Sequence, residues 1–213
     1  MSFLNDEVKG QLKDIFGKMK DEVTLALFTK EGPCETCPET KSYLEEVVST
    51  TEKLSLLEYD LNTDKELAEK YEVSRVPSVV VLDKNNDYRG IKFVGIPAGH
   101  EINSLVNTVL SVSGSGSPLS KELEDRISKV DKPVNIKVFV TLSCPHCPGA
   151  VEKAHLLALE NSNISAEMVE AQTFFDLSDQ FNVSSVPKIV INDEFEFVGN
   201  QPLEVFMDNI EKA

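Results

Sequence analysis

The sequence predicts an α/β protein made of two tandem copies of one unit, each with a mixed central sheet flanked by helices. Two observations carry this prediction. Cys34 precedes Pro77 by 43 residues, and Cys144 precedes Pro187 by the same 43. The segments around those prolines also match, with SRVPSVVV in the first half and SSVPKIVI in the second. A spacing and a motif that recur together indicate an internal repeat.

Each half contains the same predicted elements in the same order. An opening helix (NDEVKGQLKDIFGKM or SKELEDRISKV), with Asn5 or Ser120 as its expected N-cap, precedes a buried strand (VTLALF or NIKVFV). The strand is followed by a cysteine pair at a helix start, a second strand, a short acidic helix, a Val-Pro strand, a hairpin strand and a final helix. The strand–helix–strand opening predicts parallel pairing through a right-handed crossover. The short turn between the last two strands predicts an antiparallel hairpin.

The predicted boundary between the units lies in the segment SVSGSGSP, where glycine and serine alternate before a proline. This composition is typical of a short flexible linker. We therefore predict an N-terminal unit over residues 1–112, a flexible joint over 113–117 and a C-terminal unit over 118–213.

The composition argues against nucleic acid and membrane as partners. The 213 residues carry a net charge of −15, which repels nucleic acid and anionic lipid. No apolar run approaches the roughly 20 residues that a membrane span needs. The first residues, MSFLNDEVKGQLKDIF, are acidic and amphipathic, unlike a signal peptide. We therefore expect a cytoplasmic protein with no nucleic acid and no membrane partner.

All four cysteines fall into two CxxC pairs, Cys34 with Cys37 and Cys144 with Cys147. A helix start exposes free backbone N–H groups and the positive end of the helix dipole, which stabilise a thiolate. The pKa of the first cysteine is therefore expected to fall from about 8.5 into the range of about 3.5 to 7.5. The second cysteine follows one helical turn later, within reach of a mixed disulfide. We assign Cys34 and Cys144 as attacking residues and Cys37 and Cys147 as resolving residues, with two redox-active disulfides and no bound cofactor.

The residues between the cysteines distinguish the two pairs. In the second pair, the imidazole of His146 can donate to the thiolate or stabilise its charge, so we include it among the catalytic candidates. In the first pair, the carboxylate of Glu35 repels a neighbouring thiolate. Because a stabilised reduced form makes a disulfide more oxidising, the second pair is predicted to be the stronger oxidant and the more reactive.

The two Val-Pro dipeptides are candidate substrate-binding residues. If the Val76–Pro77 and Val186–Pro187 bonds are cis, each proline lies beside its cysteine pair and excludes other ligands there. The valine backbone is then free to pair with an extended substrate segment. A Val-Pro dipeptide can also simply begin an edge strand. Its recurrence at the same distance from a CxxC pair favours the functional interpretation.

These features resemble the protein disulfide oxidoreductases of thermophilic archaea and bacteria, also called glutaredoxin-like protein disulfide isomerases. The resemblance covers nearly the whole chain and depends on the doubled CxxC and Val-Pro motifs, with a proline after each cysteine pair (Pro38 and Pro148). It implies two thioredoxin-fold units. It also implies oxidation, reduction and isomerisation of protein disulfides, with a thioredoxin-reductase-like flavoprotein as electron partner.

Two features depart from this resemblance. The second motif is CPHC, whereas CPYC is common in the family, so its redox poise could be shifted. Thioredoxins also carry a buried aspartate about six residues before the first cysteine as proton acceptor, but Phe28 and Val138 occupy those positions here. Glu58, Asp60 and Glu170, on the second strands, are alternative acceptors, although we interpret them as exposed, solubilising carboxylates.

Two other functions compete with catalysis on protein clients. The four thiols could bind zinc, but about 106 residues separate the pairs, against the 15–20 of a zinc ribbon. We therefore predict no native metal site, while incidental zinc on reduced thiols stays open. The stronger alternative is a dedicated electron relay between a thioredoxin-reductase-like flavoprotein and a peroxiredoxin or another acceptor. The N-terminal domain of the alkyl hydroperoxide reductase flavoprotein resembles the double unit and has that role.

Two histidines outside the cysteine pairs are given structural roles. His100 follows a glycine before a predicted helix, and we interpret it as a helix-capping surface residue. His155 lies two turns beyond Cys147 and is expected to pack against neighbours or face solvent.

The difference between the pairs leads to a first testable prediction. In variants that keep only one pair, the rate of iodoacetamide labelling as a function of pH should give a lower pKa for Cys144 than for Cys34. The physical reason is that His146 favours the thiolate and Glu35 opposes it. Equal values, or a lower pKa for Cys34, would contradict this interpretation.

Overall fold

The computed structural model describes residues 3–213, and the predicted order of elements occurs twice along them. The elements of the N-terminal half are α1 (Asp6–Phe16), β1 (Val23–Thr29), α2 (Cys37–Val48), β2 (Leu54–Asp60), α3 (Lys65–Lys70), β3 (Ser78–Leu82), β4 (Tyr88–Val94) and α4 (Ile102–Leu110). Those of the C-terminal half are α5 (Lys121–Ile127), β5 (Val134–Val140), α6 (Cys147–Glu160), β6 (Ile164–Glu170), α7 (Phe175–Gln180), β7 (Lys188–Ile191), β8 (Phe195–Val198) and α8 (Leu203–Ile210). None of the helices in the described chain has both the length and the apolar content to cross a membrane.

The opening helices begin where the sequence predicts. The side chain of Asn5 accepts a hydrogen bond from the Val8 N–H at 2.8 Å, and the Ser120 hydroxyl accepts one from the Leu123 N–H at 3.3 Å. Each bond satisfies one of the N–H groups that a helix start leaves free. Both predicted N-caps are confirmed.

The strands of both units form one continuous sheet of eight strands, in the order β2-β1-β3-β4-β6-β5-β7-β8. Within each unit the first two strands pair in parallel and the last two pair antiparallel, as predicted. The sequence did not predict the seam between the units, where β4 pairs in parallel with β6 from Ile91↔Ala166 to Val94↔Val169. We expected a separate sheet in each unit, but the two sheets are joined along these strands.

Two glycines allow β4 to approach β6 this closely. Gly90 has a φ of +73°, and a Cβ there would lie 2.7 Å from the carbonyl oxygen of Ile164. Gly95 has a φ of +109°, and a Cβ there would lie 2.6 Å from the Cβ of Glu170. Glycine alone supplies both the positive φ and the missing side chain.

The two faces of the sheet are covered differently. One face carries a single large core shared by both units, to which helices α1, α2, α4, α5, α6 and α8 contribute buried side chains. The opposite face carries two smaller clusters, one under α3 and one under α7. Strand residues alternate between the faces with the usual period of two: Leu25 and Leu27 enter the large core, whereas Ala26 and Phe28 enter the cluster under α3.

The predicted flexible joint begins as structured backbone. The chain continues from α4 into one π-helical turn over residues 111–115, in which Gly114 has a φ of +83°. The carbonyl of Ser113 accepts a hydrogen bond from the Asp21 N–H at 3.0 Å, and the Ser115 hydroxyl donates to the Lys18 carbonyl at 2.7 Å. The start of the joint is therefore tied to the N-terminal unit, and the boundaries of the two domains stay a prediction.

His155 lies at the packing interface between the units. Its ring is 2 % exposed, contacts Phe93 of β4 edge-on at 4.8 Å and shares a 2.9 Å hydrogen bond between Nδ1 and the Thr108 hydroxyl of α4. Packing, rather than exposure to solvent, is therefore the correct interpretation. Burial lowers the pKa of His155 to about 3 and keeps the ring neutral in the folded protein.

This burial predicts an acid-sensitive contribution to stability. The pKa of His155 is about 3 when folded and about 6.5 when unfolded, so its neutral form supports the fold above pH 6.5 and loses that support as the pH falls towards 3. His155→Gln should therefore reduce the loss of unfolding free energy between pH 7 and pH 4 by about 3 kcal/mol. Urea unfolding at the two pH values measures this difference.

Thr108→Val is the matched control, because it removes the same hydrogen bond without removing a titrating group. It should lower the unfolding free energy by about 1 kcal/mol at both pH values. If the unfolding free energies of the His155→Gln and Thr108→Val variants changed with pH in parallel, the titration of His155 would not contribute to the pH dependence of stability.

Candidate functional site

Both cysteine pairs lie at the same end of the sheet, where β1 and β5 lead into α2 and α6. The sequence placed the first cysteine of each pair at the helix start, but α2 begins at Cys37 and α6 begins at Cys147. The first cysteine lies in the turn just before, and the Cys37 N–H bonds to the Cys34 carbonyl at 3.3 Å. Cys34 and Cys144 therefore precede the helix ends instead of opening the helices, and the lowered pKa of their thiols stays a prediction.

Each pair forms a disulfide in which one cysteine is more deeply buried than the other. The Cα atoms are 5.4 Å apart in the N-terminal pair and 5.5 Å apart in the C-terminal pair, within the usual range. Cys34 is partly exposed and Cys37 is 5 % exposed, while Cys144 is 9 % exposed and Cys147 is fully buried. An incoming thiol therefore reaches the first cysteine more easily, which agrees with the predicted roles of attacking and resolving cysteines.

The Val-Pro dipeptides lie beside the cysteine pairs. Both the Val76–Pro77 and Val186–Pro187 bonds are cis, and both prolines are buried while both valines are partly exposed. The Val186 carbonyl oxygen lies 3.9 Å from the Cys144 sulfur. In the N-terminal unit, the pairing of Phe28 with Ser78 places Pro77 at the same end of the sheet as the first cysteine pair.

The two side chains expected to tune the cysteine pairs both face solvent. Glu35 and His146 are exposed, and neither Thr36 nor His146 caps the following helix with its side chain. Their influence on the thiolates, and with it the catalytic role of His146, stays a prediction.

The structure gives the three candidate carboxylates different roles. Glu58 is exposed, as predicted, and pairs with Lys41 at 2.6 Å. Asp60 accepts backbone hydrogen bonds from Asn62 and Glu31, which lower its pKa.

Glu170 is 2 % exposed, so its interpretation as a solubilising surface residue is wrong. Its carboxylate accepts the Thr173 N–H at 2.6 Å and the Gln172 N–H at 3.3 Å. Glu170 is buried because it closes the turn between β6 and α7. The positions that thioredoxins use for an aspartate hold Phe28 and Val138, both fully buried in apolar clusters.

A different carboxylate, Glu101, lies in a turn that contacts the segment before the C-terminal pair. It is fully buried in a short 3₁₀ turn (Gly99–Glu101) that packs against α6, and the neighbouring His100 N–H bonds to the Leu142 carbonyl two residues before Cys144. Ser104 donates to Glu101 Oε2 at 2.5 Å, while Oε1 is buried without a hydrogen-bond partner in residues 3–213. Burial raises the pKa of Glu101 to about 7.

Sequence reasoning missed Glu101 because it searched for an acceptor inside each unit. Glu101 belongs to the N-terminal unit, and its turn contacts the C-terminal unit across the interface between the two units. In the sequence it is one of 36 acidic residues with no distinguishing motif. His100 beside it is exposed, as expected, although its bond to Leu142 comes from the backbone and not from a side-chain cap.

The cysteine pairs are too far apart to exchange electrons directly. Strands β1 and β5 run in the same direction and are separated by four strand-to-strand steps, or about 19 Å at the usual spacing. Thiol–disulfide exchange requires the sulfur atoms to touch. Across residues 3–213 no group of three or more histidine, cysteine or acidic side chains is arranged to hold a metal ion.

Comparison with known proteins agrees with this architecture. A thioredoxin domain family model matches residues 134–212. The structure of the alkyl hydroperoxide reductase AhpF from Enterococcus faecalis is 34 % identical, with a TM-score of 0.92 over 98 % of this chain and 100 % of that one. A protein disulfide oxidoreductase from Aeropyrum pernix is 30 % identical, with a TM-score of 0.91 over 99 % of this chain and 94 % of that one.

The alkyl hydroperoxide reductase AhpF of Staphylococcus aureus is 31 % identical over 191 residues, which are 90 % of this chain and 34 % of that protein. The chain thus spans about a third of the length of the curated relatives it matches. Together, the two fused units, their cysteine pairs and the similarity over whole structures show that this chain belongs to the disulfide oxidoreductases built from two thioredoxin-fold units.

Proposed function

We propose that the C-terminal pair performs thiol–disulfide exchange on protein substrates and that Glu101 is its proton acceptor. The observation that supports this proposal is a fully buried carboxyl, with one unpartnered oxygen among the described residues, beside the helix that begins at Cys147. A pKa of about 7 leaves that carboxyl divided between its two protonation states near neutrality. Such a group can both accept and return a proton.

The exchange proceeds in two balanced steps. The Cys144 thiolate attacks one sulfur of a substrate disulfide, that disulfide breaks, and its other sulfur leaves as a thiolate that takes up a proton. Cys147 gives its proton to Glu101 and attacks Cys144, which re-forms the protein disulfide and releases the second substrate sulfur. The substrate gains two electrons, and the protein must regain two from a reductant. Operation in the opposite direction oxidises a substrate dithiol.

The valine backbones beside the pairs serve as docking points in this proposal. Val186 supports the role best, because its carbonyl already contacts Cys144. An extended substrate segment bonded to that sulfur would pass over the valine and can pair with its backbone. Val76, with Pro77, has the corresponding place in the N-terminal unit.

An electron relay is the second candidate function, and the similarity to the alkyl hydroperoxide reductase AhpF over almost the whole chain favours it. A thioredoxin-reductase-like flavoprotein would then reduce the protein, which would pass the electrons to a peroxiredoxin. Both functions use the same chemistry and differ in the electron acceptor.

The choice of acceptor can be measured directly. With a thioredoxin-reductase-like flavoprotein and its nicotinamide cofactor present, catalysis on protein clients predicts reduction of insulin and refolding of scrambled ribonuclease. Cys144→Ser should lower both rates by at least about 100-fold, because it removes the attacking sulfur. Turnover with a peroxiredoxin alone, with neither client processed, would instead establish the relay. Activity that survives Cys144→Ser and is lost in Cys34→Ser would contradict the assignment to the C-terminal pair.

The role of Glu101 leads to a prediction with two readouts. Glu101→Gln should slow the closure of the Cys144–Cys147 disulfide at pH 7 by roughly 100-fold, because the proton acceptor is lost. The same change should stabilise the protein at pH 8. Folding raises the pKa of this acid from 4.5 to about 7, so stability is greatest below pH 4.5 and falls as the pH rises through 7.

The expected gain is about 3 kcal/mol in unfolding free energy at pH 8 and close to zero at pH 4. Stopped-flow mixing of the reduced protein with a mixed-disulfide peptide, together with urea unfolding, provides the two measurements. Glu58→Gln, at an exposed carboxylate, is the control and should change neither the rate of disulfide closure nor the unfolding free energy. An unaltered rate of closure for Glu101→Gln would remove Glu101 from the mechanism, even if the stability changed as expected.

A further inference from the structure

Two grooves at equivalent positions of the repeat differ in the exposed side chain at the first residue of the helix that borders them. The C-terminal groove, of about 530 Å³, lies between α7 and the loop 182–186 and is lined by residues that include Thr141, Phe175, Asp179 and Val186. The N-terminal groove, of about 360 Å³, lies beside α3 and includes Lys65 and Glu69. The offset of 110 residues that relates Cys34 to Cys144 also relates Lys65 to Phe175 and Glu69 to Asp179. The repeat therefore replaces an exposed lysine with an exposed phenylalanine.

Phe175 is unusually accessible for an aromatic residue. It is 71 % exposed, more than any other large apolar side chain among the described residues, for which the next value is 46 % at Val198. An exposed aromatic side chain in a groove is typical of a surface that contacts a partner. It adds no buried apolar area to the core and therefore does not stabilise the fold.

The neighbours of Phe175 hold it in this position. Phe174, the preceding residue, is 7 % exposed and enters the core cluster under α7. Asp176, the following residue, forms a 2.8 Å ion pair with Arg75 of the N-terminal unit. Because both neighbours are anchored, Phe175, the first residue of α7, points its ring outwards even when no partner is bound.

The C-terminal groove is continuous with the cysteine pair. Val186, which lines the groove, has its carbonyl oxygen 3.9 Å from the Cys144 sulfur. Thr141, which also lines the groove, is three residues before Cys144, and its carbonyl accepts the Cys144 N–H at 3.1 Å. When a substrate cysteine is bonded to Cys144, the substrate residues on either side of that cysteine therefore lie next to the groove.

We infer that Phe175 is a specificity-determining residue that contacts an apolar side chain flanking the reactive cysteine of the substrate. The inference rests on the proposed exchange at Cys144 and adds the substrate class: extended protein segments with an aliphatic or aromatic residue beside the cysteine. The exposed carboxylate of Asp179 disfavours an acidic residue at that place. Lys65 in the N-terminal groove supplies no such apolar contact, so the preference for an apolar flanking residue is absent there, although Glu69 repeats the carboxylate of Asp179.

The test uses a chain whose N-terminal pair is removed by Cys34→Ser and Cys37→Ser, so that only the C-terminal pair reacts. Its substrates are two peptides that differ in one residue, leucine or glutamate, beside a cysteine carried as a mixed disulfide with thionitrobenzoate. The small hydroxyethyl disulfide is a third substrate. Attack by the reduced protein releases thionitrobenzoate as a coloured thiolate, which reports the peptide rates.

Phe175→Lys places the residue of the N-terminal groove in the C-terminal one, so the backbone should accept it. The rate with the leucine peptide should fall about tenfold, as for loss of a buried aromatic contact. The rate with the small disulfide should change less than about twofold, and the rate with the glutamate peptide should not fall, because the introduced lysine attracts its carboxylate. Leu57→Lys, at a 43 % exposed apolar residue on β2, is the matched control and should leave all three rates unchanged.

The reverse substitution provides an independent measurement. Lys65→Phe, in a chain that keeps only the N-terminal pair, should raise the rate with the leucine peptide relative to the glutamate peptide. If Phe175→Lys left the leucine peptide unaffected, or slowed both peptides equally, the assignment of specificity to Phe175 would be wrong while the exchange activity stood. Failure of the unsubstituted chain to react with any of the three disulfides would instead refute the proposed function.

Discussion

The parallel pairing of β4 with β6 is the constraint on which the rest of the structure depends. It converts two four-stranded sheets into one and removes an exposed edge from each unit. Gly90 and Gly95 make this pairing possible, since a side chain at either position would meet the backbone or side chain of β6. The large core is then continuous across the seam, and helix α4 packs against α6 with Thr108 bonded to His155.

The seam also makes the two copies unequal. In the C-terminal unit, β6 is covered by β4, and the turn that holds Glu101 contacts both α6 and the loop before Cys144. In the N-terminal unit, the equivalent strand β2 lies at the free edge of the sheet. The two CxxC motifs are therefore placed in different surroundings. The segment before the C-terminal pair contacts a turn of the other unit that carries the buried carboxyl of Glu101.

The structural features that occur in both units could be predicted from the sequence. The features that depend on contact between the units could not. Element order, strand directions, both N-caps and the positions of the cysteine and Val-Pro motifs follow from local signals, such as the spacing of Cys34 and Pro77. Glu101 and the single sheet do not, because parallel pairing of distant strands leaves no periodicity in the sequence. Glu170 was misjudged for a related reason: a carboxylate that bonds the backbone of its own turn can be buried, and its neighbours in sequence do not reveal this.

The same sheet that joins the units also keeps their cysteine pairs apart. The two pairs lie at one end of a rigid, eight-stranded scaffold, about 19 Å from each other by strand spacing. A disulfide cannot be passed across such a distance, because each exchange step forms a bond between touching sulfur atoms. In this arrangement each pair must meet its own thiol or disulfide partner. Electrons can pass from one pair to the other only when a partner's cysteine visits both in turn. The proposed roles of Glu101 and Phe175 at the C-terminal pair fit that division, because each would adapt one pair to its own substrates.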